Sequence, residues 1–188
     1  EKRTIAFHEA GHATVSWKLP NANPLLKVTI IPRGRSLGAA WYLPEERQIT
    51  TKEQMLEEMA ATLGGRAAEE IINNKVSTGA LNDLEKVSKQ AYAMVSYFGM
   101  SDNIGNVSFY DSSENSGYNL GKPYSEKTAE MIDAEVKSII DGAYQRAKDI
   151  LRENYEGFNK LAELLLEKEV IFSEDLEAIF GERLKKAN

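Results

Sequence analysis

Residues 5–15 have the sequence IAFHEAGHATV, and this stretch decides how the chain folds around its site. His8 and His12 lie four residues apart. On an α-helix this spacing leaves the two side chains only about 40° apart around the axis, so both imidazoles face the same side and can bind one ion. Glu9 lies beside them, turned far enough away that it need not bind the same ion. The stretch therefore predicts a helix that carries a metal site.

The pattern His-Glu-x-x-His predicts hydrolytic zinc chemistry. Zinc lowers the pKa of its bound water to about 7, and Glu9 can accept the proton, which makes the water a nucleophile for a peptide carbonyl. The pattern is short enough to occur by accident, but this chain has two histidines in total and both lie in it. The alternative is a solvated helix face, which the apolar neighbours Ile5, Ala13 and Val15 disfavour. We expect Gly11 to leave the helix surface open between the two ligands.

A third metal ligand has to be a carboxylate, because the chain has no Cys and no further His. Glu70 lies at the border of a buried helical stripe, whereas Glu69 is expected to point to the opposite side. Asp83 lies four residues before Val87 and continues the apolar stripe of a later helix, where a buried carboxylate needs a partner. The alternative role for Asp83 is to stabilise the N-terminus of its own helix. Spacing alone leaves Glu70 and Asp83 both open.

The remaining segments predict helices around a small sheet. After a first helix that ends before Pro20, strands are predicted over 25–31 and 39–43. Helices are then predicted from a Thr51 cap, over 81–98 with Gly99 as its stop, from Ser125 through residue 151, and over 158–166 and 173–180. Gly64-Gly65 inside the second helix predicts close approach of another backbone.

The fold class predicted is mainly α-helical (α+β), with a small β-sheet near the N-terminal metal helix. One zinc metallopeptidase domain is predicted over 1–188. Residues 1–121 are the metal-site subdomain and 122–188 the C-terminal helical part. The segment 111–121, rich in Ser, Asn and Gly, is predicted to be a loop between them.

Composition excludes some functions. The formal net charge is −6 at pH 7, and an acidic chain without a basic stripe is a poor candidate for nucleic acid. The sequence contains no apolar run of about 20 residues and no G-x-x-x-x-G-K-[ST] phosphate loop. We therefore expect it to bind no ATP by itself. Because it starts without Met and inside a helix, we also expect a piece of a longer protein.

Segments along the whole chain resemble the peptidase domain of the FtsH family of membrane-anchored AAA+ zinc proteases. They are residues 7–12, 27–34, 63–70, 77–84, 98–100 and 122–125, in the family's order. The resemblance implies that His8, His12 and Asp83 ligate one Zn²⁺ per chain and that Glu9 is the catalytic base. It also implies that residues 38–43 form an edge strand near the zinc, to which an extended substrate can add.

The resemblance further implies a setting for this module. Family members are homo-hexamers in which the AAA+ domain of the same chain uses ATP to unfold polypeptides for protein quality control. They lie in the bacterial cytoplasmic membrane or the mitochondrial inner membrane, and we favour the cytoplasmic side of the bacterial one. The AAA+ and membrane segments would be missing here, so the fragment itself is expected to be soluble. The alternative function is a non-catalytic hexamerisation or interaction module of the same assembly.

Overall fold

A computed structural model describes residues 1–43, 46, 49–112 and 121–185. The elements in chain order are α1 (Lys2–Lys18), β1 (Leu25–Thr29), β2 (Ala39–Tyr42), α2 (Lys52–Asn73), a 3₁₀ turn (Thr78–Ala80), α3 (Leu81–Ser96), α4 (Glu126–Glu153), α5 (Tyr155–Lys168), β3 (Val170–Phe172) and α6 (Ser173–Phe180). The predicted mainly helical α+β fold is confirmed. Most of the predicted loop at 111–121 lies outside the described residues.

Helix α1 is the centre of the fold. Every residue from Ala6 to Trp17 is buried, and the helix packs against α2, α4, α5 and β1. A helix that is buried on all sides needs small or apolar residues around its whole circumference, and Ala6, Ala10 and Ala13 meet that need with no solvent exposure. The metal motif therefore lies on a helix enclosed by the protein, as the apolar neighbours predicted.

Helices α1 and α2 touch backbone to backbone at two glycines. A Cβ atom placed on Gly11 would lie 2.3 Å from the carbonyl oxygen of Gly64, and one placed on Gly64 would lie 2.7 Å from the carbonyl oxygen of Gly11. The close approach predicted from Gly64-Gly65 is confirmed. The expectation that Gly11 leaves the helix surface open between the ligands is wrong, because α2 fills that space.

The small sheet is antiparallel and has the order β2-β1-β3. Val28 in β1 lies opposite Ala40 in β2 and Ile171 in β3. The predicted position of β2 at a sheet edge is confirmed. The sequence did not predict β3, because three residues are too few for an alternating pattern to be recognised.

The predicted helix ends agree closely with the structure. Thr51 and Gln54 form a capping box, with the Gln54 N–H 3.2 Å from the Thr51 hydroxyl and the Thr51 N–H 2.9 Å from the Gln54 amide oxygen. Ser125 caps α4 by accepting the Thr128 N–H at 3.1 Å. Gly99 has φ +63°, the left-handed conformation that stops a helix. Helix α3 ends at Ser96, two residues before the predicted end.

Helix α4 covers the side of α2 and α3 away from the sheet. Its buried positions are Ile132, Ala143, Ala147 and Leu151. Among the described residues, each helix is either too short or too polar to cross a bilayer. The division of the chain at residue 121 stays a prediction.

Replacing Gly64 with Ala should destabilise the fold. The new methyl group would overlap the Gly11 carbonyl, and the two helices would have to separate. Overpacking of this kind costs about 1–3 kcal/mol of unfolding free energy, which urea denaturation can measure. Gly142→Ala in α4 is the matched control, because nothing lies within 4 Å of its Cβ position. That variant should gain roughly 0.5–1 kcal/mol from helix propensity, and equal effects at both positions would contradict the backbone contact.

Candidate metal centre

Three side-chain atoms from two helices meet in the wall of a cleft. His8 Nε2 lies 3.1 Å from His12 Nε2, and Asp83 Oδ2 lies 3.2 Å from each of them. Among the described residues these form the one group of three or more His, Cys, Asp or Glu side chains whose ligand atoms converge. The structure thus brings together the three residues that the resemblance selects.

The triangle has the dimensions of a zinc site. Zinc binds nitrogen and carboxylate oxygen at about 2.0–2.2 Å in a tetrahedral arrangement, which separates neighbouring ligand atoms by roughly 3.3 Å. The observed edges of 3.1–3.2 Å match this separation. Two imidazoles and a carboxylate are also the ligand types that suit this ion. The residues present therefore fit one zinc ion with a fourth position left open.

Both imidazoles are held in the orientation that a metal ligand needs. His12 Nδ1 donates to the carbonyl oxygen of Ala61 at 2.9 Å, and His8 Nδ1 lies 2.7 Å from Glu69 Oε1. With the Nδ1 hydrogens used in this way, each Nε2 presents its lone pair to the centre of the triangle. The ring of His8 also rests on Gly65, where a Cβ atom would lie 2.4 Å from Nε2.

Glu69 is the site residue that the sequence did not identify. It was expected to point away from the buried side of α2, and that is wrong: it is 2% exposed and contacts His8. Its other oxygen accepts the N–H of Ser77 at 2.9 Å. Glu69 therefore links α1 to the turn that precedes Asp83. Its neighbours Ala67 and Ala68 are both buried, and this run of small residues was the signal that α2 is enclosed on more than one side.

Glu70, the competing candidate for third ligand, faces away from the site. Its carboxylate accepts a hydrogen bond from the Tyr144 hydroxyl and lies 3.7 Å from Lys148 Nζ. Both partners belong to α4. The structure therefore does not bring Glu70 to the histidines.

Asp83 reaches the histidines from the first turn of α3. The Ser77 hydroxyl accepts the Gly79 N–H at 3.1 Å, and the Ser77 carbonyl accepts from Arg66 at 2.8 Å, which fixes the turn before the helix. Burial acts to raise the pKa of Asp83, but the hydrogen bonds and charges of His12 and His8 outweigh it and hold that pKa well below its usual range. Asp83 thus stays ionised, as a ligand must, and the helix N-terminus favours the same state.

Glu9 lies beside the triangle without being part of it. Its side chain is 7% exposed and lines the same cleft as the three candidate ligands. Burial raises the pKa of Glu9, although the neighbouring His12 and His8 oppose that effect. A carboxylate whose pKa is raised above its usual value accepts a proton more readily than an exposed carboxylate and is therefore a better general base.

The cleft is open and has a volume of about 880 Å³. It is lined by the three candidate ligands, by Glu9, and by Gly38 with residues of strand β2. Tyr42 also lines it, and burial together with the charges of Glu9 and Asp83 keeps the pKa of its hydroxyl well above the usual range. Strand β2 and the triangle thus border the same cleft.

Comparisons with known proteins agree with this geometry. The model of the family described as "Peptidase family M41" matches residues 1–179. A protein from Parabacteroides distasonis named ATP-dependent zinc metalloprotease FtsH is 65% identical over 183 residues, 97% of this chain and 27% of that protein. The protein of the same name from Karelsulcia muelleri is 54% identical over 95% of this chain and 29% of its own length.

A mouse protein named mitochondrial inner membrane m-AAA protease component AFG3L2 is 50% identical over 97% of this chain and 23% of its own length. The chain thus spans about a quarter of the length of the curated relatives it matches.

The third ligand can be tested by metal content. Asp83→Asn should lose most of the bound zinc, because an amide oxygen replaces the charged ligand, whereas Glu70→Gln should keep it, since Glu70 bonds to α4 instead. Elemental analysis of both proteins after dialysis against limiting zinc measures this directly. Full occupancy in the Asp83 variant, or loss in the Glu70 variant, would contradict the arrangement.

The metal-free protein should hold a proton on His12 at neutral pH. Burial lowers the pKa of His12, but the hydrogen bond and charge of Asp83 and the charge of Glu9 raise it overall to about 9. This raised pKa stabilises the metal-free fold fully below about pH 6.5, the value for an unfolded histidine, and the stabilisation is lost as the pH rises through about 9. Zinc has to displace this proton.

An NMR titration of the metal-free protein can measure that pKa, because the chain has only two histidines. Asp83→Asn is the matched variant and should lower the pKa of His12 by removing its main partner. A His12 that titrates at or below 6.5 in the unmodified protein would contradict the prediction.

Proposed function

The chain belongs to peptidase family M41, and from that premise we propose that it is the zinc-dependent endopeptidase module of an ATP-dependent, membrane-associated quality-control protease. The observation that carries the proposal is the triangle of His8, His12 and Asp83 with a buried Glu9 beside it, in a cleft bordered by a free strand edge.

The proposed roles follow from what each side chain contacts. His8, His12 and Asp83 hold one zinc ion, and Glu69 and the Ala61 carbonyl keep the two imidazoles turned toward it. When bound, zinc supplies Lewis acidity that polarises the scissile carbonyl and makes water easier to deprotonate. Glu9 accepts the proton of the attacking water and can return it to the leaving amine. Its burial excludes bulk water from that transfer.

The substrate we propose is unfolded polypeptide, bound along β2. Among the described residues β2 pairs only with β1, so the N–H and C=O groups on its other side are free for a further strand. Such a strand is held mainly by main-chain hydrogen bonds, which require an extended backbone and make few demands on sequence. Ala39 and Ala40 on β2 leave room beside the cleft. A strand that is already paired on both sides in a folded protein could not add to this edge.

The wider assembly is likewise a proposal. The name of the bacterial relatives includes ATP dependence, and that of the mouse relative includes the mitochondrial inner membrane. By similarity we propose that this module works in a homo-hexamer, with an AAA+ domain of the same polypeptide binding the ATP. The higher identity to the Parabacteroides protein, 65% against 50% for the mouse protein, supports the cytoplasmic side of a bacterial membrane.

A non-catalytic assembly module is the alternative, and the burial of Glu9 speaks against it. Burying a carboxylate costs free energy unless its charge is paired. Glu9 is buried beside three converging ligand atoms but is not one of them. Holding subunits together requires no such arrangement.

Glu9→Gln should abolish proteolysis while keeping the metal. The amide fills the same space but cannot accept the proton, and loss of a general base costs about 10²–10⁴-fold in rate. Cleavage of casein and of a fluorogenic peptide measures this, with zinc content and oligomeric state determined for the same samples. Chelation of the unmodified protein should stop cleavage, and added zinc should restore it. A Glu9→Gln protein that cleaves at the full rate would contradict the proposal.

A further inference from the structure

Gly38 lies directly against the carboxylate of Glu9. A Cβ atom placed on Gly38 would be 2.9 Å from both Cγ and Oε1 of Glu9, and 3.1 Å from a methyl group of Ile5. Gly38 does not have a positive φ, unlike four other glycines of the described chain. Its backbone conformation is therefore open to any residue. What this position requires is the absence of a side chain.

Hydrogen bonds hold the loop before Gly38, and pairing in the sheet holds the residue after it. Arg33 and Ser36 exchange two backbone hydrogen bonds of 2.9 and 3.0 Å, and the Ser36 hydroxyl donates to the Gly38 carbonyl. On the other side, the next residue, Ala39, is paired with Thr29 in the sheet. A side chain at position 38 could not easily move the loop away from α1. The carboxylate of Glu9, at the end of two rotatable methylenes, would have to move instead.

We propose that Gly38 is a positioning residue that sets the carboxylate of Glu9 at van der Waals distance from the start of the edge strand. This inference rests on the proposed function, in which Glu9 is the base and β2 holds the substrate. The contact fixes the base relative to two things at once: the metal ligands on α1 and the strand beside which the scissile bond lies. A methyl group at position 38 would separate the base from the substrate while leaving His8, His12 and Asp83 in place.

The test is Gly38→Ala in the zinc-loaded, assembled protein. Displacing a catalytic group by about 1 Å can cost about 100-fold in rate, so kcat for a fluorogenic peptide should fall by roughly 10- to 100-fold. KM, zinc content and the thermal midpoint should stay unchanged. Gly142→Ala is the matched control, since its Cβ position is open, and it should keep the full kcat. A crystal structure of Gly38→Ala should show the Glu9 carboxylate moved, with the three ligand side chains where they were.

A conservative change at Glu9 gives a second readout. The shorter side chain in Glu9→Asp withdraws the carboxylate from position 38, so this change should reduce kcat in the unmodified protein more than it does in the Gly38→Ala background. Additive losses would overturn the proposal.

Full kcat in Gly38→Ala would also overturn it, and so would a raised KM at unchanged kcat, which would assign the glycine to the strand and not to the base. The proposed function fails separately, if Glu9→Gln retains activity.

Discussion

The backbone contact between α1 and α2 at Gly11 and Gly64 is the constraint on which the site depends. Helix α1 carries His8, Glu9 and His12. Helix α2 carries Glu69 and the Ala61 carbonyl, which contact the Nδ1 atoms of the two imidazoles. Helix axes usually lie 8–10 Å apart, with the distance set by the side chains between them. Here no side chain intervenes, because each glycine would place a Cβ within 3 Å of the other's carbonyl. At this separation Glu69 and the Ala61 carbonyl lie 2.7 and 2.9 Å from the imidazole nitrogens of His8 and His12.

Charge balance explains the rest of the site. Three carboxylates, Glu9, Glu69 and Asp83, surround two imidazoles, and of these five side chains only that of Asp83 is more than about a tenth exposed. Without a metal, burial lowers the pKa of His12, but Asp83 and Glu9 outweigh that effect, raise the pKa and keep a proton in the site. A bound dication offsets the negative charge of the carboxylates more completely, and in metal sites the ion is the largest local charge. The carboxylates thus favour metal binding beyond the one ligand that Asp83 provides.

The sequence predicted the parts of the molecule that depend on local pattern. The spacing of His8 and His12, the capping box at Thr51 and the left-handed stop at Gly99 are each decided within a few residues, and each appears in the structure. Contacts between distant segments were harder to foresee. Glu69 was assigned to the wrong side of α2, because a single apolar stripe cannot show that a second face is covered by α1.

The third ligand shows the same limit. Spacing along the chain left both Glu70 and Asp83 open, and 75 residues separate Asp83 from His8. The turn at Ser77, which Glu69 and Arg66 hold in place, precedes Asp83 and brings it to the histidines. The sequence alone does not show these contacts. Strand β3 was missed for a related reason: its three residues pair with β1, which lies far earlier in the chain. Long-range pairing of this kind leaves no periodic signal in so short a segment.

Helix α1 also explains why metal and substrate can be held by different parts of the fold. Its candidate ligands contact residues of α2 and α3. Glu9 instead lies against Gly38, just before β2, a strand that within the described part of the chain has one unpaired edge. A rigid side suits a metal, whose ligands must keep their distances to within tenths of an ångström. An open strand edge suits a substrate recognised by its backbone, because it accepts many sequences. Glu9 belongs to the rigid helix but touches Gly38, the residue before the strand, so the proposed base lies where the two requirements meet.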